Sequence, residues 1–291
     1  VSVSKKLEDI KQEKMVTESD TTCVSMDAEM FRDMFNLASA LILSEVQVLI
    51  KDDGLYVQQM EESRVAMTIM FIPKTYFREL KQGRTIKELR LDVQDIKGIL
   101  TRLSHGDVVT FTISSSGKLH VEIKGKRIRV FDIPLLEAEE LERRVPKIML
   151  NVRTKTTLEG ILDAIEDAKK LIVRSGSKSK KNIYGTVTFT TTAMGLKIVS
   201  MTEDELYSTY TTLTSGWDLM KFEGNIDQHA TIAIPFLTDV ITAISKVTNM
   251  VQLEYTTDMP VHIIVEMPLK GVNLEYWFAP RILEVKEVKK K

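Results

Sequence analysis

Two stretches of this chain read almost alike at a fixed distance. GLYVQQMEES opens at Gly54, and GLKIVSMTED opens 141 residues later at Gly195. Gly54, Leu55, Val57, Met60 and Glu62 are matched by Gly195, Leu196, Ile198, Met201 and Glu203. A glycine in front of a short alternating apolar run predicts a turn feeding a strand. The same offset relates LDVQDIKGILTRLSHGD, from Leu91, to IAIPFLTDVITAISKVTN, from Ile232. Ile96, Ile99, Leu100 and Leu103 share one helical face in the first, as Leu237, Val240, Ile241 and Ile244 do in the second. That is the i, i+3, i+4, i+7 spacing of a helix with one buried side. Each half also begins with such a helix. Its stripe is Met30, Phe31, Met34, Phe35, Ala38 and Leu41 in the first half, and Leu158, Ile161, Leu162 and Ile165 in the second. Three matches in the same order predict a duplicated α+β chain. Each copy reads helix–strands–helix–strands and buries two helices against one face of an antiparallel sheet.

The copies are expected over residues 26–130 and 147–283. Between them FDIPLLEAEELERRVP, residues 131–146, is acidic, carries prolines near both ends and reads as an extended connector. Residues 1–25 read as a mobile arm, and EVKEVKKK, 284–291, as a basic tail. RSGSKSKKN, Arg174 to Asn182, reads as a long lysine-rich loop. A chain of 291 residues has room for two units with separate cores. Its 43% apolar and 28% charged residues fit a soluble globular protein, and no apolar run approaches the ~18 residues that cross a bilayer. The first 25 residues lack the apolar region of a secretory leader. The single cysteine, Cys23, excludes an internal disulfide and fits a reducing intracellular compartment. With a net charge of −1, contact with nucleic acid must come from local basic surface.

Residues for catalysis are hard to assemble. His105, His120, His229 and His262 are scattered, no pair has the i, i+4 spacing of a zinc helix, and no Cys-x-x-Cys exists. SSSGKL, Ser114 to Leu119, lacks the first glycine and the closing Ser or Thr of a phosphate loop, and reads as a hairpin turn. Asp163, Glu166 and Asp167 fall on the polar face of a helix, where acids are ordinarily solvated. Neither a cofactor, a metal nor an enzymatic activity is expected.

What stands out instead is VNLEYWFAPRIL, Val272 to Leu283. Leu274, Tyr276 and Phe278 point to one side of a strand and Glu275 and Trp277 to the other. The strand ends at Ala279-Pro280, since proline cannot donate to a ladder. So many rings at a strand exit read as a surface that receives a partner.

Four stretches together resemble the sliding-clamp family of archaea and eukaryotes, the proliferating cell nuclear antigen type. They are LYVQQMEESRVAM, LDVQDIKGILTRLSHGDVVTF, TTDMPVHIIVEMP from Thr256, and VNLEYWFAPRI. Asp258-Met259-Pro260 followed by a strand ending Ala279-Pro280-Arg281 is the most specific part, and the likeness covers roughly Met26 to Leu283. It implies a clamp fold in a ring of three two-domain chains, helices around the hole and sheets outside. Edge strands near Lys126–Asp132 and Leu206–Leu213 would pair between chains. Such a ring is a processivity factor, encircling duplex DNA without reading its sequence, in an archaeal cytoplasm or a eukaryotic nucleus.

The resemblance also implies two surfaces. Met60, Arg64, Val65, Pro260, Tyr276, Trp277, Phe278, Ala279 and Pro280 would line a pocket under the connector, with Leu141 and Val145 as its lid. Short motifs of a DNA polymerase, clamp loader, flap nuclease or DNA ligase would insert aromatic and aliphatic anchors there, each worth about 1.5–3 kcal/mol when buried. Arg32 and Arg102, with Lys97, Lys155 and Lys246 on or near polar helix faces, would attract DNA phosphates. The family presents Lys or Arg where this chain has Gly98, Thr101, Gly160, Asp163 and Thr242, so its hole holds less positive charge. Either the chain is a specialised or checkpoint-type member of a hetero-trimer, or the loop Arg174–Lys181 compensates. A non-encircling adaptor and a duplicated nuclease-like scaffold are the other readings.

Overall fold

A computed structural model describes residues 21–41, 44–83, 88–113, 117–137, 145–174, 185–201 and 208–281. The N-terminal arm up to residue 20, Leu141, loop residues 175–182 and the basic tail lie outside the described residues.

In the first half β1 (Thr22–Asp27) leads into α1 (Ala28–Ala38), followed by β2 (Glu45–Lys51), β3 (Gly54–Met60), β4 (Ala66–Pro73), β5 (Glu79–Lys81) and β6 (Glu88–Asp92). After α2 (Val93–Leu100) come β7 (Val108–Ile113), β8 (Lys118–Lys124) and β9 (Ile128–Pro134). The second half repeats the plan with β10 (Val152–Thr157), α3 (Leu158–Arg174), β11 (Thr186–Thr192), β12 (Gly195–Met201), β13 (Ser208–Thr214), β14 (Leu219–Gly224) and β15 (His229–Ala233). It ends with α4 (Ile234–Ile244), β16 (Met250–Tyr255), β17 (Val261–Val265) and β18 (Asn273–Phe278). The offset of 141 maps β3 onto β12, and β6 with the start of α2 onto β15 with the start of α4, residue for residue. β9 runs on to Pro134, so the first four residues expected in the connector belong to a strand.

The repeated glycine has one physical reason in both copies. A Cβ on Gly54 would stand 2.2 Å from the Ile72 carbonyl oxygen, and one on Gly195 would stand 2.2 Å from that of Leu213. No side chain fits where the neighbouring strand comes so close. The helical stripes behave as their periodicity requires. Phe31, Met34, Phe35 and Ala38 of α1, Ile161 and Ile165 of α3, and Leu237, Val240, Ile241 and Ile244 of α4 are all buried. In α2, shorter than its stripe, the Asp92 carboxylate caps the N-terminus by accepting from the amides of Gln94 and Asp95.

The strands form three sheets, ordered β5-β1-β7-β8-β9, β13-β12-β11-β15, and β14-β10-β16-β17-β18-β4-β3-β2-β6. The nine-stranded sheet belongs to both halves. Its seam is the antiparallel pair β18–β4, registered from Asn273 opposite Phe71 to Phe278 opposite Ala66. One face of that sheet carries Val57, Met70, Leu253, Ile263, Leu274 and Tyr276 into the core. On that side α1 meets α4 across the two halves, and α4 meets α3. In the repeat β9 corresponds to β18 and β13 to β4, yet β9 and β13 lie at open edges of the two smaller sheets.

Candidate docking site

Along β18 the side chains alternate, and the structure decides which face is which. Tyr276 is fully buried toward the helices, where its hydroxyl donates to the Leu37 carbonyl at 2.7 Å. Burial drives that hydroxyl well above the ordinary tyrosine range. Tyr276 is therefore a core residue that ties the seam to α1, and it is not open to a docking peptide as the resemblance implied. Phe278 points the same way and is buried too.

Trp277 lies on the outer face, within a row of cross-strand partners. Met60, Met67, Trp277, His262, Glu254 and Arg153 are successive neighbours on β3, β4, β18, β17, β16 and β10. Met60 at one end is 47% exposed, and Trp277 is buried and stacked on His262. Pro260, half-buried, precedes the pair Val261–Phe278 and so stands beside the exit of β18. Arg64 and Val65 reach the same place on the turn between β3 and β4. The Ala279 amide donates to the Val65 carbonyl at 2.7 Å, which fastens that turn to the strand exit.

The turn is held by Glu61. Its buried carboxylate accepts from the Val65 amide at 2.6 Å and from both the amide and the hydroxyl of Ser63 at 2.8 Å. This lets Arg64 sit in the left-handed region, at φ 60°. Burial alone would raise the Glu61 carboxyl, but the hydrogen bonds from Val65 and Ser63 outweigh it and hold the group below the usual range. A depressed carboxylate stabilises the fold above its unfolded titration and loses that contribution as pH falls through the folded one. Glu61→Gln is expected to lower stability at pH 7 by about 1–2 kcal/mol. The gap should narrow in acid, as followed by urea midpoints at several pH values. A gap that stays constant would mean that the charge does not hold the turn.

Next to this turn a concavity of about 270 Å³ is lined by Ser63 and Val65, by Phe278 to Arg281, and by Ile232, Ala233 and Phe236. The last three and Arg281 were not expected from the sequence. A usable signal was present, because Phe236 is a large apolar residue standing off the buried stripe of α4. At the end of the connector and just past it, Val145, Lys147 and Met149 are exposed and Pro146, Ile148 and Leu150 half-buried, as an extended segment laid on a surface would be. Val145 is 45% exposed.

The helix layer is a separate surface. Lys97, Arg102 and Lys246 are exposed on it, and the half-buried Arg32 donates to the Leu103 carbonyl at 2.9 Å. Lys155 does not belong there. It projects from the outer face of β10 and pairs with Glu266 at 2.7 Å. Gly160 is not a surface position either, because a Cβ would meet Leu213 at 2.5 Å, whereas Gly98 opens onto free space. Over residues 28–38, 93–102, 158–171 and 234–246 there are six basic residues (Arg32, Lys97, Arg102, Lys169, Lys170, Lys246). Eight acids oppose them (Glu29, Asp33, Asp95, Glu159, Asp163, Glu166, Asp167, Asp239), for a net −2. Burial raises the carboxyls of Asp33 and Asp239, against the pull of nearby cations that include Lys246 for the first and Lys169 and Lys97 for the second.

Among the described residues no cluster of His, Cys, Asp and Glu suits a metal ion, and no helix is long and apolar enough to cross a membrane.

No family model matches the chain. A curated protein of Pyrobaculum aerophilum, DNA polymerase sliding clamp 1, is 26% identical over 260 residues, covering 88% of this chain and 96% of that protein. Among solved structures, PCNA from Thermococcus kodakaraensis superposes with a TM-score of 0.76 at 17% identity, covering 89% of this chain and all of that one. A. fulgidus PCNA bound to the C-terminal region of FEN-1 gives 0.73 at 22%, covering 91% of this chain and all of its counterpart. The chain thus has the fold of the sliding clamps along nearly its whole described length.

Proposed function

We propose that this chain, a relative of the archaeal DNA polymerase sliding clamps in sequence and fold, is a non-catalytic subunit of a ring that encircles duplex DNA and docks replication and repair enzymes. The observation that carries the reading is the pair of free edges. β18 and β4 already form the joint between the two halves, and β9 and β13 are the same strands of the other copy, each with one side unpaired among the described residues. Pairing them between chains joins a five-stranded to a four-stranded sheet. The product has nine strands in the order seen inside the chain, and two aggregation-prone edges disappear. Repeated head to tail, such a contact closes a ring.

The internal seam also supplies the register. Trp277 faces Met67 and Glu275 faces Ile69. Carried to the free edges through the matching ladders, this sets Asp132 opposite Ser208 and Val130 opposite Tyr210. Val130 is 48% and Tyr210 68% exposed in the single chain. In a Cys23→Ser background, Val130→Cys with Tyr210→Cys is expected to oxidise to a covalent ladder ending at three chains, while each single cysteine gives none. A pure chain that neither cross-links nor exceeds monomer mass rejects the homotypic ring. If the cross-link then forms only with a different clamp subunit, the specialised hetero-trimer replaces it.

Outer-face docking of a polymerase, clamp loader, flap nuclease or ligase is supported by the row from Met60 to Trp277 and the adjoining concavity. DNA passage is supported by the helix layer, though its six basic against eight acidic residues make phosphate attraction weak and its salt dependence correspondingly shallow. The first clamp domain would run from β1, which starts at Thr22 inside the expected arm, to the end of β9 at Pro134, and the second from β10 at Val152 to the end of β18 at Phe278.

A further inference from the structure

The imidazole of His262 and the indole of Trp277 lie face to face, centroids 3.9 Å apart and planes 12° from parallel. In its own plane the imidazole meets a carboxylate at each end, with Nδ1 3.2 Å from Glu254 and Nε2 3.0 Å from Glu275. The His262 side chain is only 9% exposed. Ionised carboxylates accept and never donate, and a neutral imidazole has one N–H. With a neutral ring, one of the two contacts sets lone pair against lone pair in a dry site, which is costly. Both contacts are hydrogen bonds only when each ring nitrogen carries a proton.

The neighbours favour placing that proton on the ring. Arg153 of β10 donates to the other oxygen of Glu254 at 2.6 Å, and Gln252 of β16 donates to the same oxygen at 2.8 Å. The hydrogen bond from His262 holds the Glu275 carboxyl below the usual range against the opposing effect of burial. Glu254 on β16, Glu275 on β18 and, through Glu254, Arg153 on β10 are the charged groups around the ring among the described residues. A protonated ring in this place would set a cation beneath an aromatic face, the arrangement of a cation–π contact.

We infer that His262 is the positioning residue of the docking row, doubly protonated between Glu254 and Glu275, and that it fixes the Trp277 indole so that docking weakens as this proton leaves at rising pH. The inference rests on the docking role proposed for Trp277. It adds a pH-dependent element to the outer face that no direct contact with the partner requires.

The probe is a histidine-free synthetic peptide of the FEN-1 C-terminal region, titrated onto the full chain in its assembled form from pH 5.5 to 8.5. Wild-type affinity is expected to fall about tenfold across that range. His262→Gln should give a flat profile at the weak end, and His262→Phe, which keeps a stacked ring without protons, should also be flat. In a Trp217→Phe background, the emission of Trp277 should change over the same interval and lose that change in His262→Gln. A flat wild-type profile, or an unaltered profile in His262→Gln, overturns the inference and leaves docking standing. Trp277→Ala provides the separate check: wild-type peptide binding by that variant removes the docking role of Trp277, and the inference with it.

Discussion

Replacing Tyr276 with alanine is expected to destabilise the chain by about 3–5 kcal/mol, the range for truncating a fully buried aromatic ring. The ring fills the helix-facing side of the seam between the two halves, and its hydroxyl satisfies the Leu37 carbonyl in the last turn of α1. The alanine variant opens a cavity there and removes that hydrogen bond, leaving the carbonyl only its longer contact from the Ala40 amide at 3.3 Å. Tyr276→Phe keeps the packing and loses only the hydrogen bond, so it should cost about 0.5–1.5 kcal/mol. Thermal and urea midpoints separate the two. Because the residue faces the helices, any loss of peptide binding should track the loss of folded protein. An alanine variant of normal stability that no longer binds peptide would reverse the assignment of faces along β18. Pro280, on the rim, is the better position for probing docking itself.

The second large effect concerns assembly. Aspartate at both Val130 and Tyr210 is expected to convert assembled rings into folded monomers at micromolar concentration. In the proposed register the two positions face each other across the contact between chains, and like charges directly opposite on paired strands are destabilising. Both residues are exposed on their own chain, so the melting temperature of the isolated chain should move little. Light scattering reads the mass, and circular dichroism checks the fold. Rings of this chain alone that survive the double substitution would exclude this edge pairing.

The duplication was legible in the sequence because it repeats local events. Gly54 and Gly195 start equivalent strands, and the stripes of α1 to α4 mark their buried faces without tertiary information. Much less legible was the sharing of one sheet between the halves. β18 and β4 are separated by about 200 residues, and no local pattern says that Trp277 faces Met67. The same gap explains Tyr276. Alternation divides β18 into two faces, but near its exit both are buried, so sequence alone could not tell core from docking surface. Lys155 shows the same limit, since it lies three residues before Leu158, the start of α3, yet projects from the opposite side of the sheet. Phe236 and Ile232 give no local hint of their neighbour in space, because that neighbour, the turn at Val65, belongs to the other half.

One joint exists in this molecule in two versions. In the repeat His120 and Asp132 occupy the places of His262 and Trp277. The first pair is joined at 2.7 Å and open to water, whereas the second is stacked and buried. The internal joint is further secured by the Tyr276 hydroxyl and cannot drift apart, because one backbone runs through both its sides. In a closed assembly the outer version has neither restraint. The proposed ring would thus have its weak links chosen in advance: DNA would enter where one polypeptide ends and the next begins, while the joint inside each chain would stay closed.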